Sequence, residues 1–313
     1  MIYRIGERDI IKVCLLYYEE NKTQEEISRL MGISRFKVSR LLQQAKRSGL
    51  ISIVINDPMG DIGESEIKLA KKYGLKESVI VRSNALLGKS DLVQIGETGA
   101  QYLLRTIGQV KILAVAWGMT LRQVVNSIEK VETSDLTVVQ LSGGIGVIGG
   151  TDTNMLTMML SEKLSAQSLL LQAPLLVRDQ STQKAFLREG NIAEVLDTAK
   201  SADMALLGIG LADKKGSLYK AGHLRGKDYT AAIRAGAVGA LCGRLYDIQG
   251  KPCATDWDSR LISLTLEEIR RITHKVGIAG GRQKLDAIAG ALNGCFLDVL
   301  ITDEQTARAL LRR

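Results

Sequence analysis

Two sets of residues have the types and spacings that do chemistry. The first is a run of cations with no acid among them: Arg35, Lys37, Arg40, Lys46 and Arg47 lie between Ser34 and Ser48. Guanidinium and ammonium groups spread along one helix suit phosphate oxygens and base edges. The second is a set of glycine-rich segments: WGMT at 117–120, SGGIGVIGG at 142–150, GIG at 208–210 and AGGRQK at 279–284. At the ends of strands such segments bring backbone amides close to an anion, and Thr120 and Lys284 add a hydroxyl and an ammonium. Together they point to an oxyanion or phosphate site.

Other chemistries fit poorly. Gly144, Gly146 and Gly149 spell G-x-G-x-x-G after an apolar run, but the next strand candidate, 168–174, ends without the acid that would hold a ribose. A dinucleotide is therefore not expected. Cys14, Cys242, Cys253 and Cys295 are widely spaced, and His223 and His274 are the only histidines, so no zinc-type cluster forms. The thiols read as idle, and neither metal nor cofactor is expected. General acid–base catalysis would fall to Asp247, because the two histidines sit in no recognisable active-site pattern.

The basic run needs a helix to carry it. Residues 1–56 hold ten Lys/Arg against six Asp/Glu, a net +4 of the chain's +8. Ile11, Cys14, Leu15 and Tyr18 recur at helical spacing and predict a helix over 7–20 with that stripe inward. Thr23 and Glu26 spell a capping box for a second helix, 24–31, which stops at Gly32. Ser34 caps a third, with Val38, Leu41, Leu42 and Ala45 inward. Two short helices with a small residue, Ser28, four positions before the turn glycine make a helix-turn-helix. Ser34, Arg35, Phe36, Ser39 and Arg40 then face base edges from the start of the third helix. Thr23, Gln24, Lys37 and Arg47 are placed for phosphates, and Gln43 completes the outward face. LISIVI at 50–55 reads as a short strand, suggesting a winged variant.

The glycine-rich segments need a sheet. NDPMGDIGES at 56–65 reads as a linker, separating a head over 1–56 from a body over 66–313, with 57–65 between. Strand candidates are 79–82, 111–116, 136–141, 203–209, 276–279 and 297–302, many followed by helical stretches. That alternation predicts an α/β fold with a largely parallel sheet, whose ligands sit beyond the strands' carboxyl ends. With 313 residues, 45% of them hydrophobic and 24% charged, a two-domain globular chain is expected. No apolar stretch is long enough for a membrane span and no signal peptide is evident, so a cytoplasmic protein without membrane partners is expected.

The ordered set TQEEISRLMGISRFKVSRLL, WGMT, LSGGIG, GIG, GAVGALCGRLYDIQG, AGGRQK and LITDEQTARALL resembles the SorC/DeoR-type family of bacterial sugar-responsive transcriptional regulators, from about Arg8 to Arg312. The resemblance implies a winged helix-turn-helix joined to a Rossmann-like α/β domain of the sugar-phosphate isomerase/deaminase type, assembled as a homotetramer. By position it assigns Gly118, Thr120, Gly143, Gly144 and Gly146 to the walls of an effector pocket. It also assigns Asp247 to sugar hydroxyls, and Lys284 to a phosphate or the sugar. One departure stands out: relatives commonly carry an acid where this chain has Ala240.

The expected function is a DNA-binding regulator, acting as a repressor of a carbohydrate-utilisation operon, whose affinity for double-stranded operator DNA is set by a small carbohydrate, phosphorylated in the expected case. The rival is a sugar-phosphate isomerase or deaminase with an accessory DNA-binding head. A scaffolding protein with a helical docking head leaves the glycine-rich segments unexplained.

Overall fold

The head consists of three helices, α1 (Ile5–Cys14), α2 (Gln24–Met31) and α3 (Arg35–Arg47), in the computed structural model, which describes residues 5–51, 62–82, 90–146 and 153–313. Thr23 and Glu26 close their capping box: the Glu26 amide donates to Thr23 Oγ1 at 3.3 Å, and the Thr23 amide donates to Glu26 Oε2 at 2.8 Å. Gly32 ends α2 at φ +63°, a left-handed conformation that glycine adopts without a Cβ penalty. Ser28 Oγ donates to the Ile33 carbonyl at 2.5 Å and fixes the turn. Ser34 caps α3 by accepting the Lys37 amide at 3.2 Å. Val13, Ile27, Val38 and Leu42 form the small core. Burying each contributes roughly 1.5–3 kcal/mol, which holds together helices too short to persist alone.

The inward stripe of the first helix differs from the expected one. Ile10 and Val13 are buried, whereas Leu15 and Tyr18 are exposed. After Cys14 the helix widens into a single π turn, Leu15–Glu19, and Leu16 and Tyr17 pack on the core. Two apolar stripes lie one residue apart here, so spacing alone does not choose between them. Of the expected wing strand, Leu50 and Ile51 are described and neither lies in a strand; 52–55 fall outside the described residues.

The chain divides into two units, 1–60 and 61–313. Residues 62–65, read from sequence as the end of a linker, instead begin the helix α4 (Ile62–Tyr73). The second unit carries ten strands among the described residues: β1 (Glu77–Val81), β2 (Ile112–Val115), β3 (Thr137–Gln140), β4 (Gln167–Leu169), β5 (Met204–Gly208), β6 (Gly210–Leu211), β7 (Gly239–Leu241), β8 (Arg244–Tyr246), β9 (His274–Ile278) and β10 (Val299–Asp303). Seven form one parallel sheet in the order β1-β10-β9-β5-β2-β3-β4. The inner strands are near-continuous apolar runs, as strands covered on both faces require. The chain runs outward from β2 through β3 to β4, then returns to β2's other side as β5. The switch point thus lies between β2 and β5, where a crevice opens beyond the strand ends.

β6, β7 and β8 form a separate antiparallel sheet. Its hairpin turn is Cys242–Gly243, both residues at positive φ, which matches the right-handed twist of the flanking strands. Arg244 is buried beneath it and donates to the carbonyls of Asp258 at 2.7 Å and Ser263 at 2.8 Å. Among the described residues no helix is long and apolar enough to cross a membrane, and no cluster of metal-ligating side chains is found.

Candidate functional site

On the head, α3 presents Arg35, Phe36, Lys37, Arg40, Gln43 and Arg47 to solvent, opposite the buried Val38, Leu42 and Ala45. Phe36 is 78% exposed at the start of the helix, where an apolar ring suits a thymine methyl. Ser39 is half-buried, and Ser34 sits at the cap. Arg35, Lys37, Arg40, Lys46 and Arg47 make no ion pair among the described residues, so their charge stays available to phosphates. Thr23 and Gln24 stand at the start of α2. The Thr23 hydroxyl is already committed, donating to Glu26 Oε2 at 2.8 Å.

In the body, a cavity of about 310 Å³ lies at the switch point. That is near the lower end of the range for small-molecule sites. One wall is the loop after β2, Trp117 and Gly118, leading into the helix Met119–Ser127 with Thr120 in its first turn. Another follows β5 and runs from Gly208 through Lys215 to Lys220. The antiparallel sheet supplies Ala240, Cys242 and Gly243, and the loop after β9 brings Lys284. Ile145 closes one side, its carbonyl held by His223 Nε2 at 2.8 Å. The amides at the helix start and the lysine ammonium groups give the cavity a positive character.

Three of the residues expected in the pocket meet here: Gly118, Thr120 and Lys284. Lys284 is half-buried and has no hydrogen-bond or ion-pair partner among the described residues; burial pushes its pKa below the ordinary lysine value. Gly143, Gly144 and Gly146 do not line the cavity. The Gly143 amide donates to the Ile262 carbonyl at 2.9 Å, and Gly144 bridges to Pro174. A side chain at Gly143 would strike the Ala173 and Pro174 backbone at 2.6 Å, so that glycine serves packing. Asp247 also lies outside the lining. Its Oδ1 accepts the amides of Gln249 at 3.0 Å and Lys251 at 2.8 Å, which closes a turn after β8.

Several lining residues were not read from the sequence. Lys215 and Lys220 lie in a polar connection, DKKGSLYK, which resembles an ordinary solvated loop. Trp117 carries a buried indole N–H without an acceptor among the described residues. Behind Lys284, Asp303 Oδ2 accepts the Gly281 amide at 2.6 Å. A Cβ at Gly280 would collide with that carboxylate, which explains a glycine there. Cys242 faces the cavity, but burial pushes its thiol up to about 12, so it is protonated at neutral pH and inert as a nucleophile.

Residues 57–312 match the family described as "Putative sugar-binding domain", and residues 6–48 match sigma-70, region 4. The chain is 30% identical over 302 residues to the deoxyribonucleoside regulator of Bacillus subtilis (strain 168), covering 96% of each chain. It is also 30% identical to the sorbitol operon regulator of Klebsiella pneumoniae, covering 97% of this chain and 98% of that one. The crystal structure of full-length SorC from Klebsiella pneumoniae superposes with a TM-score of 0.76 at 29% identity, over 97% of this chain and 98% of that one. A DeoR family transcriptional regulator from Listeria monocytogenes gives 0.74 at 28% identity, over 80% of this chain and all of its own. The chain belongs to the SorC/DeoR family of sugar-binding transcriptional regulators. It pairs a helix-turn-helix head with an α/β sugar-binding domain, and the relatives are regulators, not enzymes.

Proposed function

We propose that this regulator represses a carbohydrate-utilisation operon in the cytoplasm, and that a phosphorylated sugar bound in the body's cavity sets its affinity for operator DNA. Lys284 carries the reading: an unpaired, half-buried ammonium beside the amides that open the Met119–Ser127 helix makes a receptor for an anion. Thr120 adds a hydroxyl suited to the sugar or phosphate, and Gly118 allows close approach of the backbone. Operator contact comes from α3, with Arg35, Phe36, Ser39 and Arg40 reading bases while Lys37 and Arg47 hold phosphates.

One helix-turn-helix buries too little DNA for useful specificity, so the active species is a homo-oligomer, a tetramer by analogy with the family. Met155 and Met158, 52% and 56% exposed one turn apart on the helix Thr153–Lys163, support an apolar face available for self-association. The test is a thermal-shift panel of free and phosphorylated sugars and polyols on the full-length chain. A phosphorylated sugar is expected to raise the midpoint by mass action, and its addition is then expected to change operator affinity. Stabilisation by neutral sugars alone would contradict the phosphosugar reading.

A further inference from the structure

The cavity's charge is unusual for a site that holds a neutral polyol carrying a single phosphate. Lys215, Lys220 and Lys284 all line it, none has an ion-pair partner among the described residues, and no described lining residue is an Asp or Glu. The nearby Asp213 is not among the lining residues; its Oδ1 accepts the amides of Lys215 at 2.8 Å and Gly216 at 3.1 Å. Sugar hydroxyls are commonly received by carboxylates, which accept two or more hydrogen bonds each. Here the antiparallel sheet and its turn offer the methyl group of Ala240 and the thiol of Cys242, and no carboxylate. The remaining side-chain polar groups of the lining include the unpaired indole N–H of Trp117, a donor with no acceptor capacity. A lining rich in donors and cations, with no carboxylate among its described residues, is complementary to a ligand that is itself rich in anionic acceptors.

We infer that the cavity takes a short-chain carbohydrate bearing two anionic groups, one near Lys284 and one near Lys215 and Lys220, as in a sugar bisphosphate or a phosphorylated sugar acid. This rests on the phosphosugar reading of the same cavity and sharpens it. Ala240 is the specificity-determining position: an acid there repels the second anion and receives hydroxyls instead. A doubly charged ligand also relieves the mutual repulsion of the three ammonium groups, which a neutral ligand does not.

The test is calorimetric titration of the full-length chain, at fixed ionic strength, with glucose, glucose 6-phosphate, glucose 1,6-bisphosphate and 6-phosphogluconate. The bisphosphate or the phosphogluconate is expected to bind at least about tenfold tighter than glucose 6-phosphate, and which of them does so identifies the second anion as phosphate or carboxylate. Lys215→Gln and Lys220→Gln, both at exposed positions, are expected to shrink that ratio without lowering the thermal midpoint. Ala240→Asp is expected to reverse it by weakening the doubly anionic ligand and sparing glucose 6-phosphate. Equal or tighter binding of glucose 6-phosphate by the unaltered chain overturns the inference and leaves the phosphosugar reading standing. A ratio unmoved by Lys215→Gln, Lys220→Gln and Ala240→Asp also overturns it. Failure of all three phosphorylated compounds to bind at millimolar concentration removes the phosphosugar reading and this inference with it.

Discussion

Asp303 Oδ2 accepts the Gly281 amide at 2.6 Å, so the last residue of β10 fixes the loop that carries Lys284 to the cavity. The same carboxylate accepts the Thr306 hydroxyl at 2.7 Å and, through Oδ1, the Thr306 amide at 2.8 Å. It is 4% exposed, so its partners have no water to turn to when it is lost. Asp303→Ala is therefore expected to cost about 1–3 kcal/mol in urea unfolding, from stranded donors. It is also expected to weaken ligand binding through the displaced loop, whereas a stable variant with full ligand affinity would separate Asp303 from the site.

Lys284 gives ligand binding a definite pH dependence. Burial lowers its folded pKa below the ordinary value of 10.5. Between the lowered value and 10.5 the unfolded chain binds more protons, so stability rises with pH across that window. Anion affinity runs the other way, because the ammonium loses its proton as pH climbs through the folded value. Titrations from neutral to alkaline pH are expected to show affinity falling and unfolding free energy rising together. Lys284→Met is expected to flatten both trends.

The parallel sheet is legible in the sequence because its inner strands are apolar runs, as at 203–209, which runs into glycines, and at 297–302, which a helix follows. The antiparallel sheet is not, because β6, β7 and β8 are only two or three residues long and carry no alternation to read. That omission hides Cys242 as a cavity wall. Gly118, Thr120 and Lys284, which line the cavity, come within a few residues of the predicted strands 111–116 and 276–279. The sequence around Asp247, with Gln249 and Gly250 after it, is also turn chemistry, and its carboxylate closes that turn. In the head, caps and turn glycine are read directly, whereas the π turn comes from packing of Leu16 and Tyr17, which no local signal encodes.

The capping box sets the stability of α2 and its response to acid. Both Thr23 hydrogen bonds hold the Glu26 carboxyl below its ordinary value of 4.5. A depressed carboxylate pKa contributes stability above 4.5 that is lost as pH falls through the lower, folded value. Thr23→Ala removes the N-cap oxygen, with a usual cost of about 1 kcal/mol. Hydrogen exchange of the α2 amides in the full-length chain is expected to quicken in the variant, and the acid-sensitive component is expected to shrink. Unchanged exchange would show that tertiary packing alone holds α2.

Arg40 and Arg47 sit on the same exposed face of α3 but are expected to fail differently. Arg40→Ala, if it removes a base contact, costs roughly 1–3 kcal/mol on a selected operator and relaxes sequence preference at one position. Arg47→Ala, if it removes a phosphate contact, is expected to weaken all sequences alike and lower the salt slope by about 1. Anisotropy titrations at several salt concentrations distinguish the two, and identical behaviour would contradict the assignment.

A ligand in the Lys284 cavity is expected to govern the grip of α3 on DNA. The direct measurement is operator affinity with and without a ligand that binds the body, in the unaltered chain and in Lys284→Met. The expected result is a shift of about 5- to 150-fold in the unaltered chain, the range of ordinary allosteric coupling, and none in Lys284→Met at the same ligand concentration. An equal shift in both chains, or no shift in the unaltered chain with the cavity saturated, would contradict it.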